Sequence, residues 1–306
     1  MNRIEGYFQK AEVSEGGTKR MVGVETETLL IDKSTLQPIS MEISQMIMRD
    51  LTLFGGWKVH EEKDGKIVCV ERESSLIFYE LGWNNFELVS PAYQIDNSNF
   101  MSEHENHLAQ LGFTAQKFDA IATEKSWDKS LGNTLMLPDK RDKVWIDLDG
   151  EALFGLGHIA SIHFSVDLTS IEEGESWIAK INELFAKNSW PPKENFTIWQ
   201  DYIKNSLARY EYGRYGHAPK DFSEYCKKMS EYKVVMNTNG SGPYRIANPV
   251  PFYSTSDVDI NLFVRSVWWW TRYRVRGNKL VLEIRDIPRT LGPKTSWELI
   301  RDVIGV

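Results

Sequence analysis

The chain has 306 residues, with 42% hydrophobic and 26% charged positions, which excludes a disordered or low-complexity protein. Its 36 Lys+Arg against 43 Asp+Glu leave a net charge of -7, which argues against a basic nucleic-acid footprint over the whole molecule. Cys69 and Cys226 lie far apart, outside any CxxC setting; they read as packing residues in a reducing compartment, with no disulfide framework. The first residues, MNRIEGYFQKAEV, show no apolar signal region, and no run of apolar residues is long enough to span a bilayer. The expected location is the cytoplasm, with no membrane partner.

Residues 20–32, RMVGVETETLLID, alternate Val22, Val24, Thr26 and Thr28 with Gly23, Glu25, Glu27 and Leu29, the period of a strand. Residues 40–54 have helical spacing, and Gly55-Gly56 stops that helix. Residues 57–62 and 66–72 form a hairpin around Asp64-Gly65, and 75–80 and 84–90 are further extended segments, the second ended by Pro91. Residues 97–124 read as one long helix, 144–149 and 158–168 as strands, and 172–188 and 195–211 as helices parted by Pro191-Pro192. A short helix is expected over 220–233, a long loop over 236–256, a helix over 258–272, a strand over 279–287 and a closing helix over 294–304. No internal repeat is visible. The order predicts an α+β fold with a mostly antiparallel sheet, one domain over 1–306.

Glu25 and Glu27, at i and i+2 on a strand, project to one face. Close carboxylates repel one another and call for a counter-charge, commonly a divalent metal; a solvated sheet face is the alternative. Glu80 and Glu87 lie in YELGWNNFELVSP, and Glu71 and Glu73 just upstream. In GHIASIHFSVDL, residues 157–168, Ser161, His163, Ser165 and Asp167 share one face while Ile162, Phe164, Val166 and Leu168 share the core face; His158 has the opposite parity. His163 on such a face suits a metal or a phosphate. In KLVLEIRDIPR, Leu282 and Ile284 point inward while Glu283 and Arg285 project together. Glu can hold a cation and Arg can clamp a phosphate or carboxylate. The upstream run RSVWWWTRYRVR interleaves Arg265, Arg272, Arg274 and Arg276 with tryptophans, a pattern also found in single-stranded nucleic-acid platforms. The negative net charge and the acidic strands argue against that partner. Walker A, GxGxxG, GxSxG and HExxH signatures do not occur.

In this order, the segments resemble the carboxylate–amine ligase superfamily, the glutamate–cysteine ligase type 2 and amidoligase group with the catalytic fold of glutamine synthetase. GVETETLL is similar to that family's G-[IL]-E-x-E strand, FELVSP to its E-[LV]-[VT]-[ST]-P motif, and Glu80 matches an acidic position ahead of it. SIHFSVDL resembles the H-x-H strand with Ser161 at the first position. WWWTR and LEIRDIP resemble W-D-x-R and L-E-x-R-x-x-D, with Trp270 in place of the first Asp and Asp286 one residue after Arg285. The resemblance implies a curved antiparallel sheet with helices on its outer face and an acidic concave face. It implies ATP-dependent joining of a carboxylate, first of all the γ-carboxylate of glutamate, to an amine through an acyl phosphate, with Mg²⁺ or Mn²⁺. The amine would come from cysteine, another amino acid, or a peptide or carrier protein. Matched by position, Glu25, Glu80, Glu87 and Glu283 would be metal ligands, and His163 would lie near a metal or the nucleotide phosphates. Arg285 and Arg272 would steady phosphate oxygens, and Glu27 would be a further acidic group near metal or amine. A same-fold kinase of a guanidino or carboxylate group and a non-catalytic nucleotide- or peptide-binding descendant stay open as alternatives. Tyr244 and Arg245 in the 236–256 segment are candidates for reading a substrate carboxylate, as are Arg209 and Arg214, with a plain surface role the alternative in each case.

Overall fold

A computed structural model describes residues 2–97, 99–123, 140–205 and 215–306. Arg209 and Arg214 lie outside the described residues. The strands are β1 Met21–Asp32, β2 Lys58–Lys63, β3 Lys66–Arg72, β4 Ser75–Tyr79, β5 Asn85–Val89, β6 Tyr93–Gln94, β7 Ala120–Thr123, β8 Ser161–Asp167, β9 Tyr215–Gly216, β10 Met236–Asn239, β11 Gly242–Arg245, β12 Trp268–Trp269, β13 Thr271–Arg276 and β14 Lys279–Pro288. The helices are α1 Arg3–Gln9, α2 Met41–Phe54, α3 Phe100–Gln116, α4 Lys140–Asp149, α5 Ile171–Asn188, α6 Lys193–Asn205, α7 Phe222–Glu231, α8 Ile260–Arg265 and α9 Pro293–Ile304. Ten strands form one sheet in the order β13-β14-β8-β1-β5-β4-β3-β2, with β6 and β7 also paired to β1. Each of its pairings is antiparallel. The architecture is thus α+β with a large antiparallel sheet. Among the described residues no helix is long and apolar enough to cross a membrane.

One face of the sheet is apolar because the strand period of two sorts the side chains. Val22, Val24, Ile162, Phe164, Val166, Leu280, Leu282 and Ile284 are buried in a core completed by α1, α5, α7 and α9. A second core joins Val70, Ile77, Phe86 and Leu88 to Ile47, Met48 and Leu51 of α2 and Leu111 and Ala115 of α3. Side-chain caps begin several helices: Ser40 accepts from the Ile43 amide, Ser170 from Glu173 and Asp221 from Glu224. Arg20, buried between sheet and α5, donates to both carboxylate oxygens of Glu173 at 2.9 and 3.0 Å and to the Asp167 carbonyl at 2.8 Å. Both cysteines are free and buried, and burial pushes the Cys69 thiol up to about 12.

Four segments differ from the sequence-based expectation. Residues 144–149 are the end of α4, not a strand; Val144, Trp145 and Leu148 follow helical spacing and pack on a third cluster with Leu153, Leu156, Trp199 and Met236. The helix expected over 97–124 ends at Gln116, and β7 then pairs with residues 29–32 of β1. The segment 236–256 contains a hairpin, β10–β11, whose Asn239-Gly240-Ser241-Gly242 turn closes Asn239 against Gly242. The helix expected over 258–272 stops at Arg265, so Arg272 stands on a strand, where Thr271, Tyr273 and Val275 alternate with Arg272, Arg274 and Arg276.

Gly174 of α5 crosses Tyr273 of β13 so closely that an added Cβ would stand within 2.8 Å of three atoms of its side chain. Tyr273 cannot yield freely: it is fully buried and its hydroxyl donates to the Ile171 carbonyl at 3.2 Å. Helix propensity alone would make Gly174→Ala stabilising by about 1 kcal/mol. Overpacking reverses the sign, and a net loss of about 1–3 kcal/mol is expected in the urea midpoint; a gain would show the crossing to be loose.

Candidate active site

The polar face of the sheet is assembled from five neighbouring strands, β13, β14, β8, β1 and β5. On β1, Glu25 lies opposite Val89 of β5 and His163 of β8, and Glu27 lies directly opposite Glu87. On the other side of β8, Glu283 of β14 is opposite Ser165, and Arg272 of β13 is opposite Glu283. The apolar residues between them are locked into the helix-covered core, so these side chains emerge together on the opposite face. They line a cavity of about 400 Å³ shared by Glu25, Glu27, Glu80, Glu87, His163 and Glu283 with Arg272, Arg274, Arg276 and Arg285.

The carboxylate half has few positive partners. Glu27 accepts the backbone N–H and the hydroxyl of Ser161, both at 2.9 Å. His163 Nε2 lies 2.9 Å from the same hydroxyl, and its Nδ1 lies 3.7 Å from Glu25. With its hydroxyl proton given to Glu27, Ser161 accepts from Nε2–H of His163. Burial pushes the Glu27 carboxyl up to about 7; Glu80 adds to this and the pull of His163 does not cancel it. Burial, then the charges of Glu80, Glu25 and Glu27, holds Glu87 well above the ordinary carboxyl range. Glu25 behaves oppositely. Burial disfavours its charge, but His163 and Arg276 prevail and bring it down to about 2. His163 itself is raised, since Glu25 and Glu27 outweigh burial and Arg285.

The arginine half surrounds one buried carboxylate. Glu283 accepts from Arg272 Nε, from Arg276 at 2.9 Å, from Arg274 at 3.3 Å and from Arg285 at 3.5 Å. Burial opposes its charge, yet the four guanidinium groups hold it well below the usual carboxylate range. Arg276 also donates to Glu25 at 2.8 Å, joining the two halves. Arg272 is committed to the protein, donating further to the carbonyls of Val267 at 2.7 Å and Arg265 at 3.3 Å.

The polar face is therefore divided by charge, and the acidic concave face expected from the sequence is acidic only on the β1–β5 side. Nor do helices lie on one side only. Trp145 of α4, Leu153 and Leu156 of the following 3-10 turn, Trp199 of α6, Met236 and Trp268 wall the cavity from above, while Leu76, Phe78 and Val89 flank the carboxylates. The site is a polar floor between apolar walls, the composition of a small-molecule pocket.

The structure brings the named candidates Glu25, Glu27, Glu80, Glu87, His163, Glu283, Arg272 and Arg285 to this cavity. Glu71 lies elsewhere, half-buried on β3 and 3.0 Å from His60. Tyr244 and Arg245 are outside the lining, and Arg245 donates to the Asp147 carbonyl. Arg274 and Arg276, which the sequence pattern does not single out as site residues, also line the cavity; the aromatic run before them masks their alternation with Tyr273 and Val275. Asp286 also lines the cavity, buried at a β14 bulge with φ of 55°, and burial raises its carboxyl. His104 sits on the opposite face, where it bridges Thr26 at 2.8 Å and Ser90 at 2.6 Å; burial lowers it to about 3, so it is a neutral structural residue.

For a divalent cation the donor chemistry fits in one half only. Glu80, Glu87 and their neighbours on β1 are hard oxygen donors whose mutual repulsion a cation would relieve. Among the described residues no three such groups already converge as a coordination shell, so the fit is one of charge and donor type. Glu283, enclosed by guanidinium groups, does not fit.

The chain matches no family model and no curated protein. Among solved structures it has a likeness to glutamate–cysteine ligase of Francisella tularensis in complex with AMP, at 11% identity and a TM-score of 0.30, over 57% of this chain. It spans 33% of that enzyme's length.

The Glu27 environment has a pH signature. A carboxyl raised in the folded state contributes stability below its unfolded value near 4.5, and loses it as pH climbs through about 7. In metal-free protein, Glu27→Gln keeps an acceptor for Ser161 and removes the buried charge. It is expected to raise stability at pH 8 by up to about 3 kcal/mol and to change little at pH 5. Thermal melts in chelator at the two pH values check this; an equal effect at both would refute the assignment.

Proposed function

We propose that this cavity is the active site of an ATP- and Mg²⁺- or Mn²⁺-dependent carbon–nitrogen ligase of the glutamate–cysteine ligase type, with residues 1–306 as one catalytic domain and a sheet of the glutamine synthetase kind. It would join a carboxylate, with the γ-carboxylate of glutamate the first candidate, to the amine of cysteine, another amino acid, or a peptide or carrier. The observation that carries the reading is the divided floor: poorly compensated carboxylates beside a cluster of arginines in one cavity. A polyanion cannot rest on carboxylates alone, and arginines alone would not need carboxylates beside them. A phosphate chain bridged by a divalent cation uses both. The resemblance of the GVETETLL, FELVSP, SIHFSVDL and LEIRDIP segments supports the same chemistry.

In this reading Glu80 and Glu87, with Glu25 on the adjoining strand, hold the cation. The cation would screen phosphate charge and draw electron density from the transferring phosphoryl group. Arg274, Arg276 and Arg285 steady anionic oxygens as charge shifts between them. A donor carboxylate oxygen bonds to the γ-phosphorus and ADP departs. The amine nitrogen then bonds to the acyl carbon and phosphate departs. The amine must first lose a proton, and Glu27, held near neutrality by its buried position and oriented by Ser161, is placed to take it. The Trp145, Trp199 and Trp268 wall excludes water that would hydrolyse the acyl phosphate and offers flat surface to a base.

The test is ADP release from ATP and Mg²⁺ with a mixed pool of amino acids, followed by mass spectrometry. The expected product has the mass of two components less water, formed with one ADP. Phosphorylated donor without any amine would indicate a kinase, and no ADP from folded protein in any mixture would count against the reading. Separately, Glu87→Gln is expected to abolish the Mg²⁺-dependent part of thermal stabilisation by a non-hydrolysable ATP analogue. Undiminished stabilisation would remove Glu87 from the cation site.

A further inference from the structure

The position matched by Glu283 is a metal ligand in the family that the sequence resembles, and the structure gives it a different surrounding. Glu283 is 1% exposed, and its two oxygens are shared among four guanidinium groups: Arg272 and Arg285 on Oε2, Arg274 and Arg276 on Oε1. A carboxylate is an acceptor only, and these oxygens are already in use. A divalent cation placed there would meet four positive charges at contact range. Arg272 is spent on this carboxylate and on main-chain carbonyls, so it works as a clamp. The other three are different. Each gives Glu283 one nitrogen, and a guanidinium has five N–H donors. Arg274 is 8% exposed and its Nε–H has no acceptor among the described residues. Arg276 is the most open of the group, with 40% of its side chain exposed. All three line the cavity.

We infer that Glu283 is a positioning residue that holds no metal and fans Arg274, Arg276 and Arg285 into a site that binds a phosphate chain without any metal. The acidic groups facing these arginines, besides Glu283, are Glu25, which Arg276 contacts, and Asp286 and Glu27, whose charges act on Arg285. Arg274, Arg276 and Arg285 keep N–H groups that Glu283 does not use at the wall of the cavity, and their planar forks match phosphate oxygens. The inference deepens the ligase reading by separating the anion-binding residues from the cation-binding ones, and it depends on that reading only for the natural occupant.

The experiment uses the full chain in two titrations: inorganic tripolyphosphate in chelator by calorimetry, and Mn²⁺ without nucleotide by electron paramagnetic resonance. Wild type is expected to bind tripolyphosphate in chelator; absence of that binding overturns the inference. Glu283→Gln is expected to weaken tripolyphosphate by about tenfold or more, the equivalent of about 1.4 kcal/mol, while Mn²⁺ affinity stays within about threefold. A merely structural defect would not spare one ligand in this way. Loss of Mn²⁺ binding in folded Glu283→Gln, or unchanged tripolyphosphate affinity, overturns it. Should Glu283→Gln fail to fold, Arg276→Gln, at the open end of β13, is expected to weaken tripolyphosphate by a similar factor without weakening Mn²⁺. Unchanged tripolyphosphate affinity there overturns it equally. Neither titration contains ATP, donor or amine, so a failed ligase assay with tripolyphosphate binding intact would count against the ligase reading and leave the arginine site standing.

Discussion

The antiparallel register that sets Glu27 of β1 against Glu87 of β5 puts two buried carboxyl groups face to face across adjacent strands. Like charges in directly opposed positions weaken a sheet. They cannot escape by slipping the register. A shift of one residue would carry Val22, Val24, Phe86 and Leu88 out of their cores and drive the carboxylates in. The apolar packing on the helix-covered face therefore enforces an unfavourable arrangement on the other face. Burial, together with the neighbouring carboxylates, raises the carboxyl groups of Glu27 and Glu87, and a cation between them would relieve the opposition.

Glu25 and Glu27 show how finely the second face is graded. They are two residues apart on one strand and point the same way, yet one carboxyl is brought down to about 2 and the other up to about 7. The difference is the neighbour on each side. Glu25 has Arg276 at 2.8 Å and His163 at 3.7 Å, whereas Glu27 has the uncharged Ser161 and looks across at Glu87 and Glu80. One strand thus marks the boundary between a region that attracts cations and a region that attracts anions. A ligand that carries both signs, or an anion that brings its own cation, is what such a boundary suits. The Glu283 cluster fixes the second region by the reverse logic, with one buried acceptor drawing several donors inward so that their remaining N–H groups are held in place.

Much of the sheet was legible in the sequence because alternation is local. The Val22–Thr28 alternation, the Asp64-Gly65 turn and the two-faced run from Ser161 to Asp167 each state a strand and its polar side within a few residues. The helix caps at Ser40, Ser170 and Asp221 are likewise local signals. The arginine strand was not legible: Arg272, Arg274 and Arg276 alternate correctly, but the short α8 just before them extends the impression of a helix. The residues over the cavity were not legible either, since Trp145, Trp199 and Trp268 come from three separated segments.

By itself the sequence determined the fold class, the polar faces of β1, β8 and β14, and the gathering of Glu and His types on them, because these follow from side-chain period and composition. Only the tertiary structure decided which charges face which. That Arg276 reaches across to Glu25, that Glu283 is surrounded by arginines, and that Glu27 is left against Glu87 depend on strand order and register between segments up to 251 positions apart. Electrostatic roles are set by distance and burial, quantities that no local pattern of residues contains.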